Sequence, residues 1–91
     1  MNVRRVHLRI EGYVQGVNFR HTARVRAQSL GLGGWVRNCP DGTVEAEAEG
    51  EEAAVQQFIA WAHRGPSMAE VHRVDVEERS PEGDRTFRVA G

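Results

Sequence analysis

The segment of residues 12–20, Gly-Tyr-Val-Gln-Gly-Val-Asn-Phe-Arg, constrains the fold most, because it joins two different hydrophobic periods. Before it, apolar and polar residues alternate from position 6 to position 11, which predicts a half-buried strand. After it, apolar residues recur at the spacing of one helical face: Phe19, Ala23, Ala27 and Leu30. A strand-to-helix turn with glycines at both ends of its bend directs successive backbone N–H groups into one concavity. Such a concavity at a helix N-terminus favours an anion.

Cations follow this turn, where a helix usually carries acids. Cations in a first helical turn oppose the helix dipole by about 0.3–1 kcal/mol, yet residues 18–31 contain no Asp or Glu. The basic side chains of this segment are Arg20, His21, Arg24 and Arg26. An anion between these cations and the free N–H groups would make the arrangement favourable, and the planar fork of arginine matches two phosphate oxygens. The segment therefore predicts an anion site, with a tight turn and a basic, solvated helix as the alternative.

The remaining patterns predict a single α+β domain over residues 1–91. The expected strands cover about residues 4–14, 35–39, 43–49, 71–76 and 87–89, and the expected helices cover residues 21–30 and 50–64. The spacing after Val71 predicts either a bulge or a late strand start. The order, βαββαβ with a short extra C-terminal strand, is typical of a ferredoxin-like sandwich, in which two helices cover one face of a mostly antiparallel sheet. This architecture hosts enzymes, RNA binders and ligand sensors alike.

The composition argues against several partners. The net charge of -1 and the pI of about 6.4 give no global attraction for nucleic acid or for an anionic membrane. No apolar run is long enough for a transmembrane helix, and Met1 leads directly into a charged strand without a signal peptide. The single cysteine, Cys39, cannot form an intrachain disulfide and fits a reducing cytosol. We therefore expect a cytoplasmic protein that binds neither nucleic acid nor a membrane.

Acidic side chains alternate along the third expected strand and lie on one face of it: Glu45, Glu47 and Glu49. We expect this face to be solvated. An RNA-recognition domain of the same architecture uses exposed aromatic residues on its inner strands to stack bases, whereas a row of glutamates would repel phosphate backbones. The pattern therefore disfavours nucleic-acid binding.

The end of the second strand carries a further polar candidate, Asn38, which alternation places on the core side with Val36. Its amide either caps the hairpin turn at residues 40–42 or holds a water molecule, because an amide offers both a donor and an acceptor. The neighbouring Cys39 falls on the opposite face with no nucleophile pattern around it, which indicates a small strand residue. The histidines share no metal-binding spacing and are expected at the surface or at sheet edges: His7, His21, His63 and His72.

Two motifs of the chain resemble the acylphosphatase family. The family pattern G-x-V-Q-G-V-x-F-R matches residues 12–20 at every fixed position. Its second pattern, G-W-V-x-N-x-x-x-G-x-V followed by five residues and Gly, matches residues 34–50 throughout. The resemblance covers nearly the whole chain, and two long motifs at the right separation are a specific signal. The chain departs at its end, Val-Ala-Gly, where some members of the family end on an aromatic residue.

The resemblance implies hydrolysis of the carboxyl–phosphate bond of a small-molecule acyl phosphate to a carboxylate and inorganic phosphate. By similarity, Arg20 binds the phosphoryl oxygens and Asn38 orients the attacking water. Backbone N–H groups of the loop also bind the phosphoryl oxygens, and they belong to Gln15, Gly16, Val17, Asn18, Phe19 and Arg20. The resemblance further implies that no metal or other cofactor and no phosphoenzyme takes part. Nothing in the sequence requires more than a monomer.

Two alternatives remain within this resemblance. One is a non-catalytic module that binds phosphate or an acyl phosphate. The other is a carbamoyl-phosphate-processing domain, because hydrogenase-maturation carbamoyltransferases carry a similar domain at their N-terminus, although the 91 residues do not include the rest of such an enzyme. The presence of Asn38 favours catalysis, since a phosphate binder has no need to orient water.

Overall fold

Two helices cover one face of a five-stranded sheet in the computed structural model, which describes residues 2–91. The elements are β1 (Val3–Tyr13), α1 (Phe19–Ser29), β2 (Gly33–Asn38), β3 (Val44–Glu51), α2 (Glu52–Ala62), β4 (Glu70–Arg79) and β5 (Phe87–Val89). The strand order is β4-β1-β3-β2-β5, and every neighbouring pair is antiparallel except β2 and β5. The predicted ferredoxin-like α+β sandwich is therefore confirmed.

Strand alternation builds the core on the helix side of the sheet. The buried apolar residues of the three inner strands are cross-strand neighbours: Val6, Leu8, Ile10, Val36, Val44, Ala46 and Ala48. Helix α1 lies over β2 and β5, and helix α2 lies over β1 and β3. Each helix has 11 residues, and within residues 2–91 no helix combines the length and hydrophobicity of a membrane span. Because α1 lies over β2, the start of the helix is held near the end of that strand.

The observed element boundaries differ from the predicted ones by a few residues. Strand β3 continues to Glu51, which pairs with Val3, so α2 begins at Glu52 and not at Gly50. The predicted irregularity in β4 is a bulge. Val71 lies opposite Gly12, but Arg73 lies opposite Glu11, so one residue of β4 has no partner in β1. Pairing with β1 therefore determines both where β3 ends and where β4 has its bulge.

The sheet face opposite the helices is not the solvated face that the sequence predicted. The Arg5 side chain is 1% exposed there, with Nε 2.7 Å from Glu47 Oε1 and Nη1 2.9 Å from Glu49 Oε1. The N–H groups of Glu82 and Gly83 donate to the Glu49 carboxylate at 2.8 and 2.9 Å. Strands β4 and β5 lie at opposite edges of the sheet, so their connection crosses this face and buries the charges.

His7 lies in an inner strand, so the expectation of a surface or edge position is wrong for this histidine. Its ring nitrogens lie 3.0 Å from Glu45 Oε2 and 2.9 Å from Glu47 Oε2. Burial alone would raise the pKa of Glu47, but hydrogen bonds with His7 and Arg5 outweigh burial and hold that pKa below its ordinary value. Hydrogen bonds from Arg37 and from the Cys39 thiol lower the pKa of Glu45 to about 2. The glutamates are therefore partners of a charge network.

Candidate active site

The turn between β1 and α1 contains two left-handed residues. Gly16 has φ 75° and Asn18 has φ 69°, a conformation that glycine adopts freely and that asparagine tolerates better than most residues. The carbonyl oxygen of Asn18 accepts hydrogen bonds from the Thr22 N–H at 3.1 Å and from the Thr22 hydroxyl at 2.9 Å. These bonds fix the first turn of α1 directly behind the bend.

The backbone donors of this turn are unpaired. Among residues 2–91, the N–H groups of residues 16–20 make no hydrogen bond. The first turn of α1 contains no acid, and the Asn18 side chain does not cap the helix. Helix N-termini leave such donors for a solvent molecule or an anion. The loop therefore offers a set of N–H groups to an anionic ligand.

Arg20 and Asn38 meet in a cleft of about 390 Å³ beside this loop. Its lining residues are Val14, Gly16, Asn18, Phe19, Arg20, His21, Arg24, Asn38 and Val89. The main-chain oxygen of Gly91 accepts hydrogen bonds from Arg20 Nη1 at 2.7 Å and from the Asn38 N–H at 3.1 Å. This shared acceptor links the first turn of α1 to the last residue of β2.

Asn38 lines the cleft, and its carboxamide makes no hydrogen bond to the hairpin. The hairpin is held instead by Asp41, whose Oδ1 accepts from the Thr43 N–H at 3.0 Å and from the Thr43 hydroxyl at 2.6 Å. Gln15 Nε2 adds hydrogen bonds to the carbonyl oxygens of Cys39 and Thr43 at 2.7 and 2.9 Å. Within residues 2–91 the Asn38 carboxamide has no hydrogen-bond partner. Both of its polar atoms are thus available to a water molecule or a ligand.

Two of the predicted loop residues, Gln15 and Val17, do not belong to the described residues that line the cleft. The Gln15 side chain turns away to the hairpin, and Val17 packs against the hydrophobic core. The sequence pattern also gives no indication that Gly91 lies next to Arg20. No local signal could have found these contacts, because the acceptors of Gln15 lie 24 and 28 residues further along the chain.

Of the remaining candidates, His21 lies at the cleft, and the Cys39 thiol lies on the sheet face opposite the helices. Burial and a hydrogen bond to Glu45 raise the pKa of the Cys39 thiol, so the thiol stays protonated and is a poor nucleophile. His21 lines the cleft at the surface of α1. Within residues 2–91, His, Cys, Asp and Glu side chains form no group of three or more that could hold a metal ion.

Comparisons with known proteins agree on one family. The sequence profile described as Acylphosphatase matches residues 6–89. A protein of Thermococcus kodakarensis named acylphosphatase is 54% identical over 87 residues, which are 96% of each chain. The solved structure of an acylphosphatase from Coxiella burnetii superposes with a TM-score of 0.94 at 39% identity and covers 98% of this chain and 94% of the other.

A larger protein contains a similar unit. The crystal structure of Thermococcus kodakarensis HypF matches 97% of this chain with a TM-score of 0.84 at 31% identity, and the match covers 12% of HypF. The profile match and the full-length relatives agree with both sequence motifs and with the cleft that these motifs build. The chain belongs to the acylphosphatase family.

Proposed function

We propose that the protein hydrolyses small acyl phosphates to a carboxylate and inorganic phosphate, without a metal or another cofactor. One observation carries the proposal: the loop with unpaired N–H groups, Arg20, and Asn38 with its unbonded carboxamide all line one cleft. Membership in the acylphosphatase family supports this activity. The roles of the individual residues follow from the chemistry of phosphoryl transfer.

The phosphoryl group binds in the bend before α1. Its oxygens accept hydrogen bonds from Arg20 and from backbone N–H groups of residues 15–20. Positioning and electrostatic stabilisation of the equatorial oxygens account for most catalysis of phosphoryl transfer. The hydrogen bond from Arg20 Nη1 to the Gly91 oxygen orients the guanidinium before substrate arrives, so little reorganisation is needed in the transition state.

Asn38 holds the attacking water. The carboxamide oxygen accepts a hydrogen bond from the water, and the amide N–H₂ donates to a phosphoryl oxygen or to the water itself. The water oxygen forms a bond to phosphorus while the bond from phosphorus to the acyl oxygen breaks. The electron pair of that bond leaves with the carboxylate, and the protons of the water pass to the phosphate product and to solvent. Because a carboxylate is a good leaving group, the reaction needs no strong general acid.

One chain supplies the whole cleft, and a cytoplasmic monomer is part of the proposal. Arg20, Asn38 and the loop come from the same chain, so a second copy is not needed to complete the site. The single cysteine fits a reducing compartment. The substrate is a small molecule, and we propose no nucleic-acid or membrane partner.

Hydrolysis of benzoyl phosphate in excess EDTA tests the proposed function. We expect the wild-type protein to release benzoate and inorganic phosphate in equal amounts, well above the rate without protein. A folded protein without turnover would support the non-catalytic alternative, and phosphate binding by calorimetry would then test that module. Carbamoyl phosphate, assayed alongside, tests the carbamoyl-phosphate alternative, which predicts turnover of that compound and not of benzoyl phosphate.

Asn38→Ala is expected to lower kcat by about 10²-fold or more with little change in KM, because a water held only for attack adds little to ground-state binding. The side chain has no hydrogen-bond partner within residues 2–91, so the melting temperature should change little. Steady-state kinetics and thermal unfolding measure both effects.

Asp41→Ala is the matched control for the capping alternative. It removes two hydrogen bonds to Thr43 in the same hairpin and should lower stability by about 1–2 kcal/mol while largely retaining kcat. A loss of stability with retained kcat in Asn38→Ala would show that Asn38 acts in the turn and not on water.

A further inference from the structure

Arg24 is a second arginine in the cleft, one helical turn after Arg20. Residues four apart lie on the same helix face, and like charges at this spacing destabilise a helix. Arg24 is half-buried and lines the cleft. Within residues 2–91, no carboxylate lies within 4.0 Å of Arg24, although most arginines of the chain have such a partner: Arg4, Arg5, Arg9, Arg37, Arg73, Arg79 and Arg88.

The cleft is cationic and has room for a whole small molecule. Its volume of about 390 Å³ lies within the range of pockets that enclose whole small molecules, roughly 300–1,000 Å³. Arg20, His21 and Arg24 line it, and the described lining residues include no Asp or Glu. If Arg20 and the loop hold the phosphoryl group, the Arg24 guanidinium is left for the acyl part of the substrate.

We propose that Arg24 determines substrate specificity and selects acyl phosphates whose acyl group carries its own negative charge. This inference rests on the proposed function. The rise of one helical turn, about 5.4 Å, separates the attachment points of the two arginines along α1. A substrate with a phosphoryl group at one end and an anionic group at the other neutralises both arginines and removes their mutual repulsion. The fork of arginine suits a carboxylate or phosphate oxygen pair on the acyl group.

Five aromatic acyl phosphates of similar shape test the proposal: benzoyl phosphate, the 3- and 4-isomers of carboxybenzoyl phosphate, and the methyl esters of those two isomers. The ester is the matched neutral substrate, because it keeps the position and approximate bulk of the carboxylate and lacks its charge. Since the ester also withdraws electrons more strongly than an ionised carboxylate, each kcat/KM is divided by the rate of hydrolysis of that compound without protein. We expect the wild-type kcat/KM for the better carboxylate isomer to exceed that of its ester by about tenfold or more, which is the effect of one hydrogen bond to a charged group.

Arg24→Gln should reduce this ratio to about one, and Arg24→Lys should retain part of it because the charge remains. The matched control is Arg26→Gln, which removes the same charge from an exposed position of α1 that is not among the described lining residues. It should keep the wild-type ratio. The wild-type ratio should also fall between 0.05 M and 1 M salt, because the screening length shortens to about 3 Å at 1 M. Circular dichroism checks the fold of each variant.

A wild-type ratio near one overturns the inference, and so does a ratio that Arg24→Gln leaves unchanged. An equal loss for the carboxylate and the ester in Arg24→Gln would place Arg24 on the phosphoryl group and would also overturn it. These results leave the proposed function intact as long as benzoyl phosphate is hydrolysed in EDTA. Absence of benzoyl phosphate turnover by the folded wild type overturns the proposed function and, with it, the inference.

Discussion

Arg20→Ala is expected to lower kcat/KM for benzoyl phosphate by about 10²–10³-fold or more while the protein stays folded. Losing one donor aimed at developing oxyanion charge costs about 2.7–4 kcal/mol in the transition state, and Arg20 supplies a charged, two-pronged donor. The side chain is half-buried and bonds to the Gly91 oxygen, and no Asp or Glu side chain lies within 4.0 Å of it among residues 2–91. Its removal therefore leaves no buried charge without a partner. Steady-state kinetics in excess EDTA measure the loss.

Two further variants are the controls for Arg20→Ala. Arg20→Lys keeps the charge and loses the planar fork, so we expect activity between that of the wild type and that of Arg20→Ala. Arg26→Ala removes a cation from the same helix at an exposed position and should keep most of the activity. Substantial turnover by folded Arg20→Ala would mean that the phosphoryl group does not bind at this arginine.

Arg5→Leu is expected to be the most destabilising of the substitutions considered, with a loss of about 3–5 kcal/mol in the free energy of unfolding. Arg5 contacts Glu47 and Glu49 at 2.7 and 2.9 Å, and Glu82 and Asp84 lie 3.7 and 3.8 Å away. Removing the guanidinium takes away the nearest arginine partner of two buried carboxylates. Because small domains are stable by only about 5–15 kcal/mol, this loss is a large part of the total. Urea unfolding followed by circular dichroism measures it.

The adjacent Arg4 provides the control for Arg5→Leu. Arg4 pairs with Glu78 at 2.6 Å, but their side chains are 25% and 65% exposed, and exposed pairs contribute about 0–1 kcal/mol. Arg4→Leu should therefore change stability little. Adding Glu47→Gln and Glu49→Gln to Arg5→Leu should recover part of the loss, because neutral amides still accept hydrogen bonds. An equal effect of the Arg4 and Arg5 substitutions would show that the crossing segment does not bury the network.

The local sequence pattern was sufficient to predict the strands, the helices and one half of the candidate site. Alternation in β1 and the spacing of apolar residues in α1 each depend on a single element, because side-chain direction repeats every two residues in a strand and every 3.6 in a helix. The left-handed positions at Gly16 and Asn18 and the adjacent Arg20 are also local. A pattern read within a few residues therefore predicted the turn, its free donors and its cation.

Contacts between distant parts of the chain were decided by the tertiary structure alone. The parallel pairing of β5 with β2 brings Gly91 to Arg20 and Asn38, and nothing near Arg20 in the sequence encodes that pairing. The burial of Arg5 depends on the route of the segment between β4 and β5 across the sheet. That route also requires Gly33, because a Cβ atom there would overlap the Asp84 carbonyl oxygen.

The physical reason for this division is the range of the interactions. Backbone dihedral preferences and hydrophobic periods act between neighbours along the chain, so the amino-acid sequence by itself determined the strands, the helices and the turn before α1. Exposure, in contrast, depends on what covers a residue. The glutamates of β3 alternate like a solvated face, but the connection that covers them comes from more than 30 residues further along the chain. Strand order and loop path therefore decided which charges are buried and which side chains complete the cleft.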